Sequence, residues 1–299
     1  MNAIIKATGI STSKKIKSSL DHATIASKKC LEEATIDKNK IDVIINIGVY
    51  RDENLSEPAI ATFIQNRLDI NLSPFNSKTT FSFDLRSGAC GLIYAFQTAI
   101  SLINNKKAKN ILISSSDSYP SERKNKFFPY TTAGAALLVS SSNKGVHFSD
   151  FFFRTSENDF LGLESFSYTK DNSKKHLGKN INFKINDSYE KIIQEYAARE
   201  VKSFLEEKKI DLEKTLFISS QLSEKFHYAI AESVGLKKNN VVNLYKRFGD
   251  LHTSSLTFGY HIAKKEKRLK GKKHILFLGV SPGISIALAL YKLSLDDSL

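Results

Sequence analysis

Short apolar runs alternate with segments of helical periodicity along most of this chain, the pattern of an α/β protein whose strands are covered on both faces. Residues 3–8, 43–45 and 216–218 read as strands, as do the apolar runs that close the segments 91–113 and 255–277. The alternation predicts mostly parallel pairing. Two stretches of the pattern recur. LEEATIDKNKIDVI (31–44) lies without a gap over LEEKKIDLEKTLFI (205–218), matching Leu31 with Leu205, Glu32 with Glu206, Ile36 with Ile210 and Asp37 with Asp211. Each copy reads as the end of an amphipathic helix, a turn containing Asp, and an apolar strand. At a slightly different offset, 91–113 lies over 255–277, each running from a small-residue turn through a helix and a lysine-rich loop into a buried strand. Two unlike segments repeating in one order predict a duplicated α/β half, divided at 1–150 and 151–299. The least periodic stretch, 143–186, reads as the connection between the halves and as a place for lid or interface loops.

Composition narrows the class. With 299 residues, 41% apolar and 25% charged, the chain reads as an ordinary soluble globular protein. It has neither a secretory leader pattern nor an apolar run long enough for a membrane span, so a cytoplasmic location is expected. Two cysteines, Cys30 and Cys90, exclude a disulfide scaffold, and no Cys/His spacing suits zinc, so neither metal nor cofactor is expected. The net charge of +13 sits largely in lysine-rich stretches at 106–109, 170–179 and 264–273. These lack the arginine and aromatic stripes of a nucleic-acid reader. They read as solvated lysines or as a surface for an acidic carrier protein or subunit.

The candidate chemistry lies in FSFDLRSGACGLIYA (81–95), where a short apolar strand enters a small-residue turn that launches a buried helix. Cys90, near the start of that helix, is either a candidate nucleophile or a small buried hydrophobe. These residues resemble the nucleophile elbow of the thiolase superfamily, spelled Asp-x-x-x-x-Cys-x-Gly. Counted from Asp84 to Gly91, the cysteine position holds Ala89, and Cys90 stands one residue later. One residue at a helix start rotates a side chain by about 100°. Further segments, 58–70, 130–139, 217–236, 240–255 and 278–293, resemble in order the β-ketoacyl-acyl carrier protein synthase III branch of that superfamily. The resemblance implies a thiolase-like five-layered α-β-α-β-α fold of two similar halves, an obligate dimer, and a Cys-His-Asn site that condenses an acyl thioester with a malonyl extender. Carried over, the histidine position falls on Ser220 and the asparagine position on Asp250, so all three positions are changed. The family's longer N-terminal segment that clamps coenzyme A is absent, and Pro282 removes an amide donor from the loop Gly279–Gly283.

Three readings follow. In the first, the chain is a non-catalytic subunit of a heteromeric β-ketoacyl synthase III-type enzyme in fatty-acid-like or polyketide-like biosynthesis. Its partner is then a catalytic ketosynthase homologue, or a second copy of itself, and acyl carrier protein docks near Lys225. In the second, Cys90 is a displaced nucleophile with His252 as base. In the third, the fold is kept for a structural or regulatory role without an acyl ligand. His227 and His261 read as structural residues within helices, and Glu57 falls where the family reaches into a partner's tunnel. The dimer contact is expected along 46–51 and 81–90.

Overall fold

A computed structural model describes residues 2–55, 57–73, 78–120, 128–143, 147–157, 162–166 and 181–293. In chain order the elements are β1 (Asn2–Ser11), α1 (Ser19–Ala34), β2 (Val43–Asn46), α2 (Ile60–Arg67), β3 (Phe81–Asp84), α3 (Gly91–Asn104), β4 (Asn110–Asp117) and β5 (Ala133–Ser142). There follow β6 (His147–Thr155), β7 (Leu163–Phe166), β8 (Asn182–Ile185), α4 (Tyr189–Lys208), β9 (Thr215–Ser219), α5 (Phe226–Ser233), α6 (Tyr245–Phe248), α7 (Ser255–Lys265), β10 (His274–Ser281) and β11 (Ser285–Lys292).

The strands form a five-stranded sheet ordered β1-β5-β4-β2-β3, a four-stranded sheet ordered β6-β11-β10-β9, and the hairpin β7-β8. Pairing corrects the sequence expectation: β2 runs parallel to β3 and β4, and β9 to β10, but the other five pairs are antiparallel. The three-residue turn between β10 and β11 admits only an antiparallel partner. The same order recurs in both sheets, with β1, β5, β4 and β2 answered by β6, β11, β10 and β9. In place of β3, the second sheet has a single parallel bridge from Phe217 to Val241.

The repeated segments fold alike. Helices α1 and α4 both end on a left-handed residue, Thr35 (φ 49) and Lys209 (φ 50). Asp37 and Asp211 then cap the 3-10 turns Lys38–Lys40 and Leu212–Lys214, which feed β2 and β9. Helices α3 and α7 lie between the two sheets, and their apolar faces join β1, β5, β10 and β11 in the largest core cluster. Residues 255–263 of α7 are buried without a break, as a helix sandwiched between sheets requires. Helix α1 covers the outer face of the first sheet, while α4 and α5 cover that of the second. The layers are therefore α-β-α-β-α, the expected α/β thiolase-like order. Among the described residues no helix is long and apolar enough to cross a membrane.

Candidate functional site

The elbow is anchored from behind. Strand β3 ends at Asp84, whose carboxylate pairs with Arg51 at 2.7 Å and accepts from the amides of Ile60 and Ala61 at 2.8 and 3.0 Å. The chain then turns through Gly88 (φ 51) into the 3-10 turn Gly88–Cys90 and on into α3. A Cβ on Gly88 would lie 2.7 Å from Ser281 Oγ and 3.7 Å from His252 Nε2, so only glycine passes here. Gly279 is equally constrained, since its Cβ would meet the Ala89 carbonyl at 2.6 Å.

This geometry separates the two elbow candidates. Ala89 lines a cavity of about 320 Å³. Cys90 is not part of that lining. Its Sγ lies 3.7 Å from the Ser285 carbonyl, its side chain belongs to the inter-sheet core, and burial pushes the thiol up to about 12. The 100° rotation thus turns Cys90 toward β11, away from the wall that holds His252, and the Cys90–His252 pairing is not assembled.

Ser220, Asp250 and His252 do share the cavity with Ala89. Ser220 follows β9, and its Oγ accepts from the Val280 amide at 3.1 Å. Asp250 follows Gly249 (φ 71), and its Oδ1 accepts from the His252 amide at 2.8 Å. Shelter from bulk water pushes the Asp250 carboxyl up to about 6, with the Asp117 charge adding to the rise and His252 opposing it. Asp187 and Glu190 lie at the same cavity, and no lysine or arginine is among its described lining residues. Leu163, Ile185, Leu222, Val280 and the prolines 129 and 282 supply its apolar surface.

The residue that sequence reasoning missed is Asp117, the last residue of β4. It is 1% exposed, and its Oδ2 lies 3.1 Å from His252 Nδ1. Its Oδ1 accepts from the amides of Val49 and Tyr50 at 2.9 and 2.8 Å, and Oδ2 accepts from Thr253. Burial alone would raise the Asp117 pKa, yet His252 and these donors hold it below the usual value. Burial would likewise lower the His252 pKa, but the Asp117 charge and contact, with Asp250, raise it. Tyr130 stacks on the imidazole at 4.1 Å, and Tyr50 lies 5.4 Å from both rings. A carboxylate ending an apolar strand, ILISSSD, was the available signal.

The remaining candidates lie elsewhere. Lys225 is exposed at the start of α5 and Glu57 is exposed before Pro58. His227 and His261 are buried in α5 and α7, with His261 Nδ1 2.8 Å from Thr8 Oγ1. Two other grooves, one beside Lys28, Leu31 and Thr35 and one beside Lys202, Leu205 and Lys209, occupy equivalent places in the repeated segments and belong to the fold. No group of three or more His, Cys, Asp or Glu among the described residues could hold a metal ion.

Residues 205–293 match the family model for the C-terminal region of 3-oxoacyl-[acyl-carrier-protein] synthase III. The chain is similar to β-ketoacyl-[acyl-carrier-protein] synthase III of Vesicomyosocius okutanii, 25% identical over 291 residues, covering 94% of this chain and 87% of that one. The Aliarcobacter butzleri protein of the same name is 24% identical over 287 residues, with 92% and 84% covered. In fold, the chain is similar to 3-oxoacyl-[acyl-carrier-protein] synthase III of Aquifex aeolicus, with TM-score 0.77, 20% identity and 97% and 100% of the chains covered. It is also similar to Xanthomonas campestris OleA, solved with lauric acid and lauroyl-CoA, with TM-score 0.77, 16% identity and 98% and 99% covered.

Proposed function

Because the chain is a β-ketoacyl-acyl carrier protein synthase III-like protein of the thiolase superfamily, we propose that it is a non-catalytic subunit of a condensing enzyme, supporting a catalytic homologue. One observation carries the reading: Ala89, Ser220 and Asp250, at the family's Cys, His and Asn positions, lie around one cavity, and none has the chemistry of the residue it replaces. Alanine cannot be acylated, and a serine hydroxyl is no proton carrier at neutral pH. Asp250, with Asp187 and Glu190 at the same cavity, opposes entry of the carboxylate that a malonyl extender carries.

The partner reading rests on strand β3. Among the described residues it is the edge of the five-stranded sheet, bonded to β2 alone, and presents Phe81 65% exposed beside Phe83. An open apolar edge is a template for pairing with a second chain, which supports a dimer formed along 46–51 and 81–90. The halves expected at 1–150 and 151–299 are then two copies of one unit, with the division moved ahead of β6 (His147–Thr155), which opens the second copy, and the partner is a catalytically complete homologue. Acyl carrier protein delivering its thioester near Lys225 fits the +13 charge, and a cytoplasmic setting fits the pathway.

The test is a condensation assay with acyl and malonyl thioesters, on the chain alone and coexpressed with an intact homologue. We expect no β-ketoacyl product from the chain alone and higher soluble activity of the homologue in the mixed complex. Robust product from the chain alone, or a stable monomer that leaves the homologue unaffected, overturns the proposal.

A further inference from the structure

The Asp117–His252 pair is unexplained by a subunit that only completes a partner's fold. A buried carboxylate with five close polar contacts orients an imidazole whose own residue adopts φ 47, a left-handed backbone region uncommon for residues other than glycine. Nδ1 faces Asp117, so in the neutral ring the proton resides there and Nε2 keeps its lone pair. That nitrogen lies beside the space left by the missing side chain of Gly88, at the head of the helix where Ala89 stands. The position that carries the nucleophile in the family this chain resembles is thus bordered by a base and holds only an alanine methyl.

We propose that this cavity hydrolyses small acyl thioesters by single displacement, with His252 as general base and Asp117 as its positioning residue. His252 Nε2 takes a proton from water as the water oxygen attacks the thioester carbonyl carbon. The C–O bond forms and the carbonyl electron pair moves onto its oxygen, which Ser220 meets. The Ser220 Oγ accepts from the Val280 amide and retains its own O–H to donate. Collapse breaks the C–S bond, and the imidazolium returns the proton to the departing thiolate, giving a free acid and a thiol. The cavity of about 320 Å³ is at the small end of ligand sites, which suits a short acyl group. A condensing partner would gain removal of short or misprimed thioesters. Hydrolysis does not require condensation by this chain, so the two activities fail separately.

The groups facing the imidazole are Asp117 from β4, Asp250 on the preceding turn, Tyr130 before β5 and Tyr50 after β2. The protein is assayed with butyryl-pantetheine and no malonyl extender, reading thiol release and free butyrate. The parent chain is expected to exceed buffer hydrolysis by about 100-fold or more. His252→Gly, which relaxes the positive φ, is expected to drop to the buffer rate and to recover on adding free imidazole. Asp117→Asn should move the ascending limb of the pH profile to lower pH, because a carboxylate that raises the imidazole pKa is gone. A parent rate equal to buffer, or His252→Gly hydrolysing at the parent rate, overturns the proposal.

Discussion

His227 should make the fold acid-labile, and removing it should blunt that lability. The side chain is fully buried in α5, and neither ring nitrogen makes a hydrogen bond of acceptable geometry. Burial pushes its pKa down from 6.5 to about 4, against small opposing effects of Asn243 and Glu224. The unfolded chain therefore binds a proton that the folded chain refuses between these values, so stability is full above about pH 6.5 and falls as pH drops toward 4. At pH 5 the loss from this ring is about 2 kcal/mol, rising to about 3 kcal/mol below pH 4. His227→Leu keeps an apolar side chain in the same space and removes no hydrogen bond. Urea unfolding of parent and variant at pH 7 and pH 5 isolates the residue, since every other titrating group cancels in the difference. The stability of the variant relative to the parent should improve by about 2 kcal/mol between the two pH values. A relative stability constant to within about 0.5 kcal/mol would refute the argument that this ring is buried neutral and unpartnered.

Two further outcomes follow from the elbow. Native protein treated with iodoacetamide at pH 7.5 should label neither Cys30 nor Cys90, because burial raises both thiols, and peptide mass spectrometry should find both labelled only after unfolding; rapid native labelling of Cys90 would restore it as a reactive group. Asp84→Ala should cost about 3–5 kcal/mol in urea unfolding, since it strands Arg51 (3% exposed) and uncaps two amides of α2; a loss below about 1 kcal/mol would contradict the role assigned to this pair.

The duplication was legible because its two signals are local. A helix whose buried positions recur every three to four residues, a left-handed stop and an Asp-capped turn leave the same trace at 31–44 and 205–218. The elbow was legible for the same reason, as strand, small residues and helix are contiguous at 81–95. Strand direction was not, because nothing in an apolar run states which neighbour it takes: β4 and β10, read as buried strands of a mostly parallel sheet, take antiparallel partners in β5 and β11. Asp117 was illegible as a site residue because its meaning depends on His252, 135 positions away, and on the backbone amides of 49 and 50.

The elbow with alanine at position 89 has a structural role in how the halves interlock. Gly279 packs its backbone against the Ala89 carbonyl and Cys90 Cα, and Ser281 Oγ accepts from the Cys90 amide at 3.2 Å while donating to the Ser87 carbonyl at 2.9 Å. The elbow turn therefore also joins α3 to β10 of the other sheet. Side chains at 89, 220 and 250 can change without disturbing those backbone contacts, whereas Gly88 and Gly279 cannot change without a clash below 3 Å. Changes of side chain at these three positions are thus separable from loss of fold in this architecture. The surviving glycines alone do not argue for activity, and the Asp117–His252 pair, which none of these backbone contacts requires, does.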